Sequence, residues 1–245
     1  MNNIIVMVLK SGAYENSKNV EYTPAQVIWL KNQIKANLTI PVRFVCFTDT
    51  PINDPDIREV SLTDNLPGWW SKIEMFKPRV LDSPSNITYF DLDTVIVGNL
   101  DNFVGFTPNE NHLYVLKSLS TDKRDQPYGI SLNGRIGSGI LKWAGYSPFA
   151  SLIYTKFMLD SQRFMDTYIT NERWGDQGFI QDFVPDYQRR FIQDLFPELL
   201  ISYKFGMKQQ GNPPKGTRIV VFHGKPKPWE VQDKHLWIPK MKGLK

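Results

Sequence analysis

Asn86-Ile87-Thr88-Tyr89-Phe90-Asp91-Leu92-Asp93-Thr94-Val95-Ile96-Val97 sets two acids in the middle of an otherwise apolar, strand-like run. The β-branched and aromatic residues up to Phe90 read as a strand, and Thr94 to Val97 reads as its extended continuation. In extended chain, residues two apart point the same way and stand about 6.6 Å apart. Asp91 and Asp93 are therefore expected to aim both carboxylates into one space while Leu92 turns to the core. Acids inside a buried run need a cation. Two hard oxygen donors suit Mg²⁺ or Mn²⁺, whose other positions take diphosphate oxygens and water. Alone, Asp-x-Asp is a short signal that turns and solvated strand ends also carry.

Working outward, the flanks read as strands alternating with helices. Asn3 to Leu9 is a buried strand. Thr23 and Pro24 open a helix to about Ala36, with Thr as N-cap and Pro in the first turn. Val42 to Phe47 is a second strand and Asp56 to Ser61 a short third. Pro67-Gly68 introduces a helix over Trp69–Lys77 that Pro78 limits. Downstream, His112 to Lys117 and Ile136 to Trp143 are strand candidates, Pro148 to about Val184 is mostly helical, and Arg218 to Phe222 is a late strand. The pattern predicts an α/β fold with a mainly parallel central sheet flanked by helices. In such sheets ligands sit beyond the carboxyl ends of the strands, where Asp91 and His223 both fall.

The 245 residues suit one large domain with a small appendage, read as 1–230 and a basic arm at 231–245. No apolar run is long enough to span a membrane. The apolar Met1–Leu9 reads as a first strand rather than a leader. Cys46 is the only cysteine, so an internal disulfide is excluded and a reducing cytoplasm is the simplest setting. The net charge of +4 is uneven: ten Lys or Arg face two acids between Ile201 and Lys245. That is either a solvated tail or an anion site for a diphosphate, a nucleic acid or an acidic glycan.

Phe90-Asp91-Leu92-Asp93-Thr94-Val95 also looks like the signature of the haloacid-dehalogenase phosphatases, where the first Asp is a nucleophile and the second a general acid. That motif follows the first strand of its domain, whereas here three strands and two helices come first. Four segments in fixed order decide otherwise: Trp70-Ser71-Lys72-Ile73-Glu74-Met75-Phe76, then Phe90 to Val97, then Trp174-Gly175-Asp176-Gln177-Gly178-Phe179-Ile180, then Val220-Val221-Phe222-His223-Gly224-Lys225-Pro226-Lys227-Pro228-Trp229. Over residues 3 to 230 the chain resembles the glycogenin-type (family eight) glycosyltransferases and their bacterial and phage relatives.

The resemblance implies a GT-A, Rossmann-like nucleotide-sugar-binding fold and metal-dependent, retaining transfer from a nucleoside-diphosphate sugar, with UDP favoured. It places Asp91 and Asp93 on Mn²⁺ or Mg²⁺, Lys72 against the donor, and Asp176 and Gln177 beside the sugar. Gly137-Ser138-Gly139 resembles an Asn-Ser-Gly strand facing the donor sugar, with Gly in place of Asn. The last segment of the family reads His-Phe-x-Gly-x-x-Lys-Pro-Trp, with His on the metal and Gly and Lys on the diphosphate. Anchored on Gly224 and Lys227, that His position is Val221, and His223 lies two residues later. If the strand persists, His223 faces the metal side as a third ligand; if the chain has turned, it hydrogen-bonds a phosphate. Lys225 adds charge beside it.

Lys10, Ser11 and Tyr14 follow the first strand, where Tyr14 either stacks on the base or belongs to a plain polar loop. Trp69 and Trp70 either wall the cleft or pack the core. For the acceptor, a saccharide or glycan is the default. A hydroxymethylated base in phage DNA is the alternative, with Lys204, Lys208, Lys215, Arg218 and the terminal lysines on phosphates. The displaced His and Gly137 also leave open a nucleotide-sugar-binding protein without turnover.

Overall fold

The computed structural model describes residues 2–12, 21–81, 84–119, 134–169, 174–207 and 211–241. The first half runs β1 (Asn2–Leu9), α1 (Pro24–Ala36), β2 (Val42–Thr48), β3 (Ile57–Ser61), a 3-10 helix (Gly68–Phe76), β4 (Ser85–Phe90), β5 (Thr94–Ile96), α2 (Asp101–Gly105) and β6 (Leu113–Lys117). The second half runs β7 (Ile136–Ala144), α3 (Pro148–Met158), α4 (Ser161–Tyr168), α5 (Asp176–Phe183), β8 (Arg189–Phe191), α6 (Ile192–Leu195), β9 (Leu200–Ser202), β10 (Ile219–Val221) and α7 (Pro228–Val231).

The main sheet has seven strands in the order β3-β2-β1-β4-β7-β6-β8. β3, β2, β1 and β4 are mutually parallel, and β7 is antiparallel to both β4 and β6. The period-two alternation of β1 divides the core. Ile4, Val6 and Val8 face one layer with Trp70, Ile73, Phe157 and Phe179. Ile5, Met7 and Leu9 face the other with Val27, Leu30, Ile34 and Phe103. A strand covered on both faces must be apolar throughout, and β4 is buried at all six positions. Each large aliphatic chain so buried contributes about 1.5–3 kcal/mol. α1 begins where the sequence predicts. Thr23 Oγ1 accepts from the Ala25 N–H at 3.3 Å, and Gln26 Oε1 accepts from the Thr23 N–H at 2.9 Å, closing a capping box.

The helix expected after Pro67-Gly68 is present as a nine-residue 3-10 helix, while the expectation for the aspartate stretch is corrected. The 3-10 helix ends with Lys77 at ψ 129°, because Pro78 bars the helical region to the residue before it. The Asp91–Val97 stretch does not continue β4. The chain turns at Asp91-Leu92-Asp93, with the Thr94 N–H donating to the Asp91 carbonyl at 3.1 Å. β5 then joins a second, three-stranded sheet, β5-β10-β9. That small sheet carries its own core of Val95, Ile201, Tyr203 and Val220. Trp29 of α1 and Val231, Ile238 and Met241 from the end of the chain pack on it. The Trp29 Nε1–H donates to the Pro239 carbonyl at 2.9 Å, tying that end to α1.

Candidate active site

The turn after β4 delivers Asp91 and Asp93 to the carboxyl edge of the parallel strands. The Asp91 N–H donates to the Gly139 carbonyl of β7 at 2.8 Å. A Cβ on Gly139 would stand 3.2 Å from Asp91 Oδ2, so the glycine gives this carboxylate its room. Leu92 turns into the core as expected. Turning instead of extending separates the environments of the two acids.

Asp91 belongs to one network. Its Oδ1 accepts from Tyr89 Oη at 2.5 Å and pairs with Lys72 Nζ at 2.8 Å. The same Lys72 Nζ stands 3.6 Å from Asp176 Oδ2. Lys72 thus bridges the second and third of the sequence segments. Burial opposes its charge, but Asp176 and Asp91 outweigh burial and hold the ammonium well above the usual lysine range. Burial pushes both Asp91 and Asp176 above the usual carboxylate range. Lys72 pulls each of them back, and each is raised further by an acid neighbour. The Ser138 hydroxyl also favours the charged form of Asp176. Asp176 opens α5, where the helix N-terminus favours a negative charge. Its Oδ2 is buried without a hydrogen-bond partner. Gln177 follows in the first turn, half-buried.

Asp93 belongs to a second network. Lys227 Nζ lies 2.5 Å from Asp93 Oδ2, and Tyr22 Oη lies 3.4 Å from the same oxygen. The Lys227 ammonium sits 5.6 Å from the Tyr22 ring centroid, and Trp229 meets that ring edge-on at 5.7 Å. Burial first, and then Asp93, hold the Tyr22 phenol well above its usual range, so it is a proton donor at neutral pH.

The other predicted residues are placed as follows. β10 ends at Val221, which is buried, so the chain has left the strand before His223. His223 Nε2 lies 2.9 Å from Ser202 Oγ, whose oxygen already accepts from the Phe205 N–H at 3.1 Å. The serine hydroxyl can accept a second hydrogen bond or donate its own proton, so the imidazole tautomer sets which of the two donates. Burial, then Lys204 and Lys227, push the imidazole down to about 4, so it is neutral. Among the described residues no three His, Cys, Asp or Glu side chains converge as a ready metal cage. Gly224 follows at φ 68° and Lys225 is exposed, 3.4 Å from Glu230. Lys10 pairs with Asp49 at 2.9 Å at the ends of β1 and β2, and the Ser11 N–H donates to the same acid at 2.9 Å. Tyr14, Lys208 and the last lysines lie outside the described residues. Trp70 is core, while Trp69 covers Gly175.

Sequence reasoning missed Tyr22 and Tyr89. A signal for Tyr22 existed, because it immediately precedes the Thr23 cap, and a helix that follows a parallel strand begins at the carboxyl edge of the sheet.

The fold is that of the GT-A-type glycosyltransferases. The galactosyltransferase LgtC, solved with donor and acceptor sugar analogs, superposes with a TM-score of 0.65 at 12% identity, covering 99% of this chain and 97% of that chain. The glycosyltransferase GlyE of Streptococcus pneumoniae superposes with a TM-score of 0.61 at 14% identity over 93% of this chain. The bifunctional glycosyltransferase WbbM gives 0.62 at 11% identity over 95% of this chain. The chain spans 57% of GlyE and 48% of WbbM. No family model matches the chain, and no curated protein matches its sequence. No helix among the described residues is long and apolar enough to cross a membrane.

Proposed function

We propose that this protein is a glycosyltransferase that moves a sugar from a nucleoside-diphosphate donor, UDP favoured, to a hydroxyl of a saccharide or glycan, with retention at the anomeric carbon. The observation that carries this reading is the Lys72 bridge between Asp91 and Asp176 at the carboxyl edge of a GT-A sheet. It puts a fixed cation and two carboxylates beside the strand Gly137-Ser138-Gly139, where a donor sugar and its departing diphosphate need them.

The donor set fits a divalent ion of the Mn²⁺ or Mg²⁺ type. Asp91 and Asp93 supply hard oxygens, and Asp176 Oδ2, buried without a hydrogen bond and 3.6 Å from Lys72 Nζ, belongs to the same Lys72 network as Asp91. Asp91 and Asp93 would hold such an ion, which would supply Lewis-acid neutralisation of the diphosphate. Lys72 and Lys227 add prepositioned positive charge as the leaving group forms. Lys72 and Ser138 favour the charged form of Asp176 against its burial, and as a carboxylate it would stabilise positive charge growing on the sugar, with Gln177 beside it in the first turn of α5. The neutral His223 hydrogen-bonds a phosphate oxygen once it lets go of Ser202, and Gly224 and Lys225 line the same phosphate side.

The test is release of UDP from UDP-sugars with Mn²⁺, alone and with saccharide acceptors. Asp91→Ala and Asp93→Ala abolish the release if the assignment is right; unchanged release sinks it. A second reading, nucleotide-sugar binding without turnover, is favoured by Val221 standing where the resembled family has a metal-binding His. It predicts thermal stabilisation by the donor with no UDP released.

A further inference from the structure

Trp174 is 44% exposed and sits at a left-handed φ of 54°, a conformation that a bulky aromatic residue adopts only under constraint. The constraint is visible in the residue that follows. Gly175 follows at φ 64° and lies so close beneath Trp69 that a Cβ there would stand 2.1 Å from the indole nitrogen. The Gly175 N–H donates to the Tyr168 carbonyl at the end of α4 at 2.7 Å. The backbone of Trp174 is thus pinned between α4 and the 3-10 helix that carries Lys72, and the next residue but one is Asp176.

The Arg135 guanidinium lies 5.2 Å from the Trp174 ring centroid. Arg135 directly precedes β7. Because Phe90 pairs with Ile140 in antiparallel register, the residues before Ile140 run out past the end of β4 and past Asp91. The Arg135–Trp174 stack therefore stands on the same rim as the Lys72–Asp91–Asp176 network. Backbone strain at an exposed aromatic side chain gains nothing for core packing. Strain of this kind collects where a side chain must be presented to a ligand.

We propose that Trp174 is the stacking platform for the acceptor, and that the acceptor is a saccharide whose pyranose ring lays its apolar C–H face on the indole beside Asp176. The electron-rich ring face suits the weakly positive C–H edges of a sugar, and the cation–π contact with Arg135 holds the ring plane. The inference rests on the glycosyltransferase reading above.

The experiment assays nucleotide release from UDP-, GDP- and dTDP-hexoses with Mn²⁺, using lactose, cellobiose, maltose and N-acetyllactosamine as acceptors. A duplex containing 5-hydroxymethylcytosine is the alternative acceptor. Trp174→Ala is expected to raise the saccharide KM at least about tenfold while the donor KM stays within about twofold. Trp174→Phe retains most of the acceptor affinity. Trp174→Gly accepts φ 54° without strain, so it folds at least as well as Trp174→Ala and shows the same KM loss. If Trp174→Ala leaves the saccharide KM unchanged, or if the duplex and none of the saccharides accelerates release, the platform is overturned while the enzyme reading stands. If wild-type protein releases no nucleotide from any donor, the enzyme reading fails and takes the platform with it.

Discussion

Lys227 Nζ lies 2.5 Å from Asp93 Oδ2, across 134 positions of sequence, with both side chains almost wholly buried. The contact ties the loop after β10 to the turn after β4, so the two halves of the proposed diphosphate site are joined before any donor arrives. Removing one partner of a buried pair leaves an uncompensated charge, which typically costs about 3–5 kcal/mol. Lys227→Met is therefore expected to lower unfolding stability by about that much in metal-free buffer. Lys227→Met/Asp93→Asn should recover most of the loss, because both charges are then gone. Urea denaturation of the single and double variants checks this. Equal stability of the two would show that the pair is not coupled.

Lys72 offers a different test, because it answers to two carboxylates. Its ammonium is held charged by Asp176 and Asp91 far above neutral pH, so its own titration does not enter the pH profile of the reaction. Lys72→Met should lower kcat by about a hundredfold or more, the usual loss when a prepositioned charge is removed from a developing anion. Lys72→Arg should restore part of it. A KM effect alone, with kcat intact, would make Lys72 a ground-state binding residue.

How much of this was legible beforehand depends on what kind of relation is involved. α1 could be read to the residue, because Thr23, Pro24 and Gln26 are local chemistry. Lys72, Asp91 and Asp176 could be read as a set because each sits in a recognisable segment, although nothing local says that one ammonium spans both acids. The turn at Leu92 reads as strand in the sequence, because its flanks are apolar and β-branched. Thr94-Val95-Ile96 has the composition of a strand and is one, but it belongs to another sheet, and pairing partners are not written in a three-residue run. β8 and β9 are also three residues each, too short for a period of two to show. Tyr22 meets Asp93 across 71 positions, a contact that only the closed fold creates.

Gly175 sits where a side chain has nowhere to go. With φ at 64° and a Cβ placed 2.1 Å from Trp69 Nε1, Gly175→Ala meets both backbone strain and a ring that must shift. Strain of this sort costs about 1–3 kcal/mol. The variant should unfold earlier by that amount and also lose activity out of proportion, since Asp176 is the next residue. Trp69→Ala in the same background should return part of the stability by clearing the space. If Gly175→Ala matched the wild type in both Tm and kcat, the packing of Trp69 on this turn would carry no consequence.

Lys142 gives the clearest pH test because its surroundings hold no acid to blur it. Its ammonium is buried in β7, donating to Thr88 Oγ1 at 3.0 Å and to the Val104 carbonyl at 2.9 Å, with the Phe103 ring centroid 5.6 Å away. Burial alone pushes its pKa down to about 7, against about 10.4 in an unfolded chain. Between those two values the unfolded state holds a proton that the folded state does not, so stability rises with pH through the window. The gain is complete above the unfolded pKa and has been lost once the pH falls through about 7; below that the group contributes no slope. The slope from one such proton is at most about 1.4 kcal/mol per pH unit. Lys142→Met keeps the length of the chain and removes the proton. The difference between wild-type and variant unfolding free energies should therefore change steadily from pH 7 to pH 10 and level off below pH 7. Urea titrations at unit pH steps read this directly, and parallel profiles for the two proteins would show that Lys142 titrates as it does in water.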